Sequence, residues 1–322
     1  MLADEELAQA APQQETVLTI GVFDGVHLGH RHLLSRLKKE AKRQSALSGV
    51  VTFRRHPREV VAPGAPLSYL TSLEDKVRLI QSEGVDLVVP LTFDKELAAL
   101  TARQFMIMLK KYLRVRALVV GPDFALGRGR QGTPDALRLL GQEMGFTVTV
   151  AAPYRLDGEV VSSTAVRQAL AAGEVSRVVK LTGRPYSIKG RVVAGTGTGR
   201  RLGFPTANLK IDPGWAIPAD GVYATLTHIG GRVFKSLTSI GLRPTFGGKE
   251  RTVETYILDF ADNIYGQDVV IGVVEKLRNE KKFADVEELK RQIAEDVVKG
   301  KEILASAIKV RVPRRKTLAH DR

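Results

Sequence analysis

The spacing of apolar and polar positions divides the chain into two unlike halves. Through about residue 155, short β-branched, apolar runs alternate with stretches whose apolar positions recur every three to four residues. Residues 16–21 (TVLTIG) read as a buried strand, and residues 30–47 as an amphipathic helix carrying Leu33, Leu34, Leu37 and Ala41. Further strand-like runs at 49–53, 86–93, 116–121 and 147–152 each follow a helical segment. Helix starts are marked by Thr71 with Glu74, by Thr101 with Gln104, and by Thr133 followed by Pro134. This alternation predicts an α/β unit, a parallel sheet with helices on both faces. Gly173 then interrupts short helical pieces, and Gly183-Arg184-Pro185-Tyr186 ends the pattern. Strand-like runs follow one another at 190–193, 221–229, 233–240, 252–260 and 268–277, which predicts a small antiparallel barrel or sandwich. An amphipathic helix over roughly 286–308 would cover it. The expected division is therefore 1–183 and 184–322.

At 322 residues the chain is long enough for two such domains, each with its own core. It has no cysteine, which excludes disulfides, thiolate zinc sites and thiol nucleophiles and agrees with a cytoplasmic location. Residues 1–15 are acidic and lack the apolar core of a secretory signal. No run of about 18 apolar residues occurs, so no membrane association is expected. The net charge of +14 suits anionic substrates such as nucleotides, and charge alone would suit nucleic acid equally. Part of that excess lies on solvated positions such as Arg36 and Arg43 and in the tail 311–322. No RNA-binding or helix-turn-helix pattern accompanies it, so no dedicated nucleic-acid partner is expected; a monomer or weak homo-oligomer is.

Candidate chemistry concentrates at junctions. Gly21-Val-Phe23-Asp24-Gly25-Val-His27-Leu-Gly29-His30 joins the first strand to the first long helix. A glycine-rich turn entering a helix N-terminus offers backbone N–H groups and partial positive charge to phosphate, and two imidazoles there can donate to phosphate oxygens. Two further loops leave strand ends: Arg54-Arg55-His56-Pro57, and Gly121-Pro122-Asp123-Phe124-Ala125-Leu126-Gly127 with basic Arg128-Gly129-Arg130 after it. Ser162-Ser163-Thr164 precede a helix that their hydroxyls can cap, and Arg167 projects near that same end. In the second half the glycines of Gly195-Thr-Gly-Thr-Gly199-Arg200-Arg-Leu-Gly203-Phe-Pro205-Thr206-Ala-Asn208 free amides for phosphates. Thr206 and Asn208 present a hydroxyl and an amide oxygen two residues apart, within reach of one hard cation. Strand alternation puts Glu254, Tyr256 and Leu258 on one face.

The GxFDGxHxGH string resembles the signature of the HxGH nucleotidyltransferases, and in this full form the FMN adenylyltransferase half of bacterial bifunctional riboflavin kinase/FAD synthetases. Residues 162–167 resemble the SSTxxR motif of that class, whose hydroxyls and guanidinium bind the ATP triphosphate. The loop at 121–127 is similar to the family's GxDFxFG, with Leu126 where an aromatic is usual, and Arg55 stands where the family more often has proline. LGFPTAN resembles the riboflavin kinase Mg·ATP motif without a departure. Residues 253–260 resemble VExHxLDF, with Tyr256 in place of histidine, and residues 239–246 resemble NIGxRPTF, with Ser239 in place of asparagine.

The resemblance implies a nucleotidyltransferase domain followed by a six-stranded riboflavin kinase barrel with a terminal helix. Its implied substrates are riboflavin, FMN and ATP, with Mg²⁺. It further implies His27 and His30 as transition-state stabilisers and Glu254 as catalytic base. ATP or phosphate contacts fall to Gly21, Phe23, Asp24, Gly25, Gly29, Ser163, Thr164, Arg167, Gly195, Gly199, Arg200, Gly203 and Pro205. Thr206 and Asn208 would serve the metal, and Asp123 and Phe124 the flavin. Two alternatives stand beside it: an HxGH transferase with another acceptor, and a non-catalytic flavin-sensing or RNA-binding protein on the same fold.

Overall fold

The structure, a computed structural model, describes residues 1–64, 67–212, 214–245 and 248–307. Phe246, residue 308 at the expected end of the last helix, and the basic tail 311–322 lie outside the described residues. The chain forms two compact units, Met1–Val166 and Arg167–Arg322.

Five parallel strands build the first unit: β1 (Thr16–Ile20), β2 (Leu47–Phe53), β3 (Leu87–Leu91), β4 (Val115–Val120) and β5 (Thr147–Val150), in spatial order β3-β2-β1-β4-β5. Because β1 is central and fully buried, its alternate side chains feed two cores. Leu18 and Ile20 pack with Met106, Leu109 and Leu113 on one face, while Val17 packs with Leu34, Leu37 and Ile80 on the other. The strand order reverses around β1 and β4, so the loops leaving their C-terminal ends adjoin at a topological switch point. Helix caps follow the sequence signals at Thr101, which closes a capping box with Gln104, and at Thr133 with Pro134 at the first helical turn. At the third signal the structure differs: Ser72, not Thr71, caps the helix Leu73–Ser82 by accepting from Asp75 N. The hydroxyl of Thr71 is engaged instead by the turn that follows β1.

An N-terminal helix, Leu2–Gln9, carries no apolar periodicity strong enough to announce it among its acidic residues. Two small apolar contacts seat it, Ala3 and Leu7, both wholly buried, and Glu6 anchors it by accepting from Thr92 N (2.7 Å), Thr92 Oγ1 (2.9 Å) and Arg54 Nε (2.8 Å). A short hairpin of β6 (Arg155–Leu156) and β7 (Glu159–Val160) closes this unit.

In the second unit, β8 (Tyr186–Val193), β9 (Thr206–Lys210), β10 (Gly221–Ile229), β11 (Arg232–Thr245), β12 (Gly248–Ile257) and β13 (Asp268–Arg278) close an antiparallel barrel in the order β10-β11-β12-β9-β8-β13. The sequence pattern missed β9, whose residues alternate too weakly in polarity to stand out, although it carries the Thr206–Asn208 pair. The helix Val286–Ala307 covers the outside through Leu304, packed on Val222, Ala224, Leu226, Leu237 and Leu277. Inside, the hydroxyls of Thr227, Ser236, Thr225, Thr238 and Thr255 form one buried chain with O···O spacings of 2.7–2.9 Å. Every member is paired, so burying them carries no unsatisfied group.

Candidate active sites

The first site is the turn between β1 and the helix Leu28–Arg43, which begins two residues before the expected start. His27 is the N-cap of that helix: its Nδ1 accepts from His30 N at 3.3 Å. That bond places the proton of the neutral His27 ring on Nε2, which makes Nε2 the ring's donor. The His30 ring stacks on His27 with centroids 3.7 Å apart, and Phe23 supports it at 4.9 Å. Sequence spacing put both imidazoles at one helix end, and tertiary structure makes them one stacked pair.

The turn itself is strained. Phe23, Gly25 and Val26 all lie at positive φ, +52°, +82° and +35°. At Gly25 a Cβ would in addition meet Leu70 Cδ1 at 2.7 Å. Gly21 continues β1, donating its N–H to Val51 O. The side chain of Asp24, 3% exposed, accepts from Leu70 N (3.0 Å), Thr71 N (3.1 Å) and Thr71 Oγ1 (3.2 Å). These bonds hold the turn.

Ser163 and Thr164 open the helix Ser163–Ala172. Ser163 Oγ donates to Asp24 O at 2.9 Å, across 139 positions of the chain. Val161 O lies 2.6 Å from where a Cβ on Gly29 would sit. The two motifs thus meet, with Thr164 exposed beside them. Arg167 follows one turn along the same helix and begins the second compact unit.

The loop after β4 lines a cleft of about 510 Å³ with Pro122, Asp123, Phe124, Arg130 and Arg138. Leu126, where the family usually has an aromatic, is not among the residues lining that cleft; it is 7% exposed and packs in the core, bridging Gly132. Phe124 is the ring that lines the cleft. His56 Nδ1 accepts from Arg58 N (3.1 Å), and the backbone N–H of His56 donates to Tyr69 OH (2.8 Å). Tyr69, unremarked in the sequence, donates in turn to Glu59; burial first and that carboxylate second push its hydroxyl up to about 12.

The second site lies on the outer face of the barrel. Register places Glu254 opposite Asn208 on β9 and Ser239 on β11, and Tyr256 opposite Thr206, so these side chains share a face. Thr206 Oγ1 donates to Glu254 Oε2 at 3.3 Å. The Asn208 amide lies against Gly195, and Thr206 Oγ1 is 3.0 Å from the Cβ position of Gly199. Gly199 and Arg200 belong to the short helix Thr198–Arg201, and Gly203 and Pro205 lead into β9. Tyr256, standing where histidine was expected, packs edge-on against Phe204 with centroids 5.6 Å apart, so the substitution fills its place with an aromatic pair. Ser239 is exposed.

Known proteins match both units. The model of the FAD synthetase family fits residues 9–165, and that of the riboflavin kinase family fits 182–304. A protein of Escherichia coli strain K12, named bifunctional riboflavin kinase/FMN adenylyltransferase, is 42% identical over 91% of this chain and 94% of its own. The chain belongs to this family. Its Bacillus subtilis strain 168 member is 33% identical over 88% of this chain and 91% of that one. A Streptococcus pneumoniae crystal structure described as a macrolide-efflux protein superposes with a TM-score of 0.85 at 29% identity, covering 94% of this chain and 97% of that one. Among the described residues no helix is long and apolar enough to cross a membrane.

Proposed function

We propose that the chain makes FAD from riboflavin in two steps, one in each unit. The barrel phosphorylates the terminal ribityl hydroxyl of riboflavin with ATP, giving FMN and ADP. The parallel-sheet unit then lets the FMN phosphate attack the α-phosphorus of a second ATP, giving FAD and pyrophosphate. The observation that carries this reading is the presence in one chain of two side-chain constellations suited to phosphate chemistry, the stacked His27–His30 pair and the Glu254–Thr206–Asn208 face.

In the barrel Glu254 is the proposed base, aimed across two strands at the Thr206 hydroxyl. Thr206 and Asn208 would supply a hydroxyl and an amide oxygen, a donor set that fits a hard cation. A Mg²⁺ ion held by Thr206 and Asn208 would neutralise ATP phosphate charge. In the sheet unit the histidines donate to the charge that builds at the α-phosphorus, and Ser163 and Thr164 hold the departing pyrophosphate, with Arg167 proposed for the same task on its motif. The nucleophile is an ionised phosphate, so this step needs no base. Asp123 and Phe124 are proposed to hold the flavin in the cleft they line.

The test is incubation with riboflavin, ATP and Mg²⁺ and chromatography of the products. Ordered appearance of FMN and then FAD is expected. FMN without FAD would remove the adenylyl transfer assignment, and conversion of neither flavin would favour the non-catalytic alternative.

A further inference from the structure

Thr71 stands two residues before the helix Leu73–Ser82, yet its hydroxyl bonds to a distant part of the chain. Ser72 caps that helix by accepting from Asp75 N at 3.1 Å, so the helix start is satisfied without Thr71. The Thr71 hydroxyl accepts from Gly25 N at 3.0 Å and donates to Asp24 Oδ1 at 3.2 Å, 46 and 47 positions earlier. A hydroxyl has one proton to give and two lone pairs to receive with, so one atom serves both bonds. It thereby ties two consecutive residues of the turn that follows β1.

That turn needs holding. Phe23 and Val26 adopt φ of +52° and +35°, a region that residues with a Cβ keep only where the surroundings over-determine it, and a β-branched residue suits it least. The bonds that hold the turn come from three places in the chain. Thr52, wholly buried on β2, donates to Val22 O at 3.0 Å, and Ser163 Oγ donates to Asp24 O at 2.9 Å. Residues 70–71 supply the third: Leu70 N and Thr71 N donate to the Asp24 carboxylate, and the Leu70 side chain occupies the space that a Cβ on Gly25 would need. Thr71 Oγ1 holds Gly25 itself, which lies between the two strained residues. From there the path to the imidazoles is short. Phe23 supports the His30 ring at 4.9 Å, and Val26 leads into His27, the N-cap on which His30 stacks at 3.7 Å.

We infer that Thr71 is a positioning residue for adenylyl transfer: its one hydroxyl fixes Asp24 and Gly25 together and so sets where His27 and His30 present their donors. Thr71 acts through the turn, and the imidazoles act on the phosphate. Without the hydroxyl, Gly25 N loses this acceptor and the turn relaxes toward less strained dihedrals, carrying Phe23 and His27 with it. A small displacement of a transition-state donor costs rate far more than it costs substrate binding, because the charge it meets develops fully only at the transition state.

The inference rests on adenylyl transfer at His27 and His30, and the experiment separates the two. FMN adenylylation and riboflavin phosphorylation are measured on the full chain for wild type, Thr71→Val, Thr71→Ser and Ser72→Ala, with near-UV circular dichroism as the folding check. Wild type that makes no FAD would overturn the underlying reading and the inference with it. Given an active wild type, the inference stands or falls on the variants. Valine keeps the shape of threonine and removes both bonds, so Thr71→Val is expected to lower kcat for FAD formation by about 10- to 100-fold, with KM for ATP and FMN within about threefold and FMN formation unchanged. Serine returns the hydroxyl, so Thr71→Ser is expected to recover kcat to within about threefold of wild type. Ser72→Ala removes the neighbouring helix cap, so it is expected to lower the unfolding temperature yet keep kcat within about twofold of wild type; this separates the setting of the turn from stability. Thr71→Val with kcat within about twofold of wild type, a raised KM with kcat kept, or Thr71→Ser or Ser72→Ala as slow as Thr71→Val would each overturn the proposal. Should Thr71→Val lose its folded signal, Thr71→Ala takes its place with the same expected values, and loss of the signal in both would overturn the proposal as well.

Discussion

At Glu254, the proposed base, the kinase step is expected to turn on one proton. Glu254→Gln keeps the shape and an acceptor for Thr206 but cannot take a proton at neutral pH. Loss of a general base typically costs about 10²- to 10⁴-fold, so kcat for FMN formation is expected to fall by that order while KM changes little; steady-state kinetics on riboflavin read this. Supplied FMN is expected to reach FAD at the normal rate. For the histidines the reciprocal holds: His30→Ala removes a donor and half of the stack, and FAD formation is expected to drop by roughly 10²-fold or more with FMN formation intact. Lys76, 5% exposed on the helix Leu73–Ser82, has a signature in stability, because burial pushes its ammonium down to about 8. Its folded-state proton leaves near pH 8, whereas an unfolded chain keeps it to about pH 10.5. Stability from this site is therefore lowest below pH 8 and rises as pH climbs through that window. Against Lys76→Met, wild type is expected to gain on the order of 3 kcal/mol in urea unfolding between pH 7.5 and pH 10.5.

Elements are held to their neighbours by a few buried charges as much as by apolar faces. The helix Val286–Ala307 sits on the barrel through Leu304 and through Asp296, 5% exposed, which accepts from Arg278 Nε at 2.9 Å. Removing that carboxylate strands a half-buried guanidinium, and breaking such a pair costs about 3–5 kcal/mol. Asp296→Ala is expected to lower the melting temperature of the barrel in a calorimetric scan, with adenylyl transfer retained. The helix Leu2–Gln9 depends similarly on Glu6. Burial raises that carboxyl, but hydrogen bonds from Thr92 and Arg54 outweigh it and leave the group below its ordinary 4.5. A depressed carboxyl contributes stability above that value and loses it as pH falls further, so Glu6→Gln is expected to narrow the difference in stability between pH 7 and pH 3.

At the scale of the molecule, the question is where one unit can be cut from the other. The helix Val175–Thr182 buries Val175, Val178 and Leu181, and it packs on β13 and β8. A cut at the boundary expected from the sequence, 183/184, removes it from the barrel. Three buried aliphatic side chains at roughly 1.5–3 kcal/mol each make that a loss the barrel would feel. A fragment of residues 167–322 is therefore expected to melt well above one of residues 184–322 and to phosphorylate riboflavin; equal melting of the two would favour the later boundary.

Much of this protein is legible in local chemistry alone. Gly21 to His30 and LGFPTAN each keep their candidate phosphate-site residues within a dozen positions, so spacing by itself locates the motifs. Strand and helix periods along residues 16–155 likewise follow from which face each element must bury. Other features depend on partners far along the chain. Thr71 and Ser72 are equally good caps in sequence, and only Asp24, 47 residues away from Thr71, decides that Ser72 caps the helix. Leu126 reads as a loop position where the family usually has an aromatic until the core claims its side chain. The face shared by Glu254, Thr206 and Asn208 arises from barrel register, and Lys76 reads as an ordinary helical lysine until folding buries it. Short-range patterns dictate which groups are available, and long-range packing dictates which of them face one another in the dry interior where charge and hydrogen bonds count most.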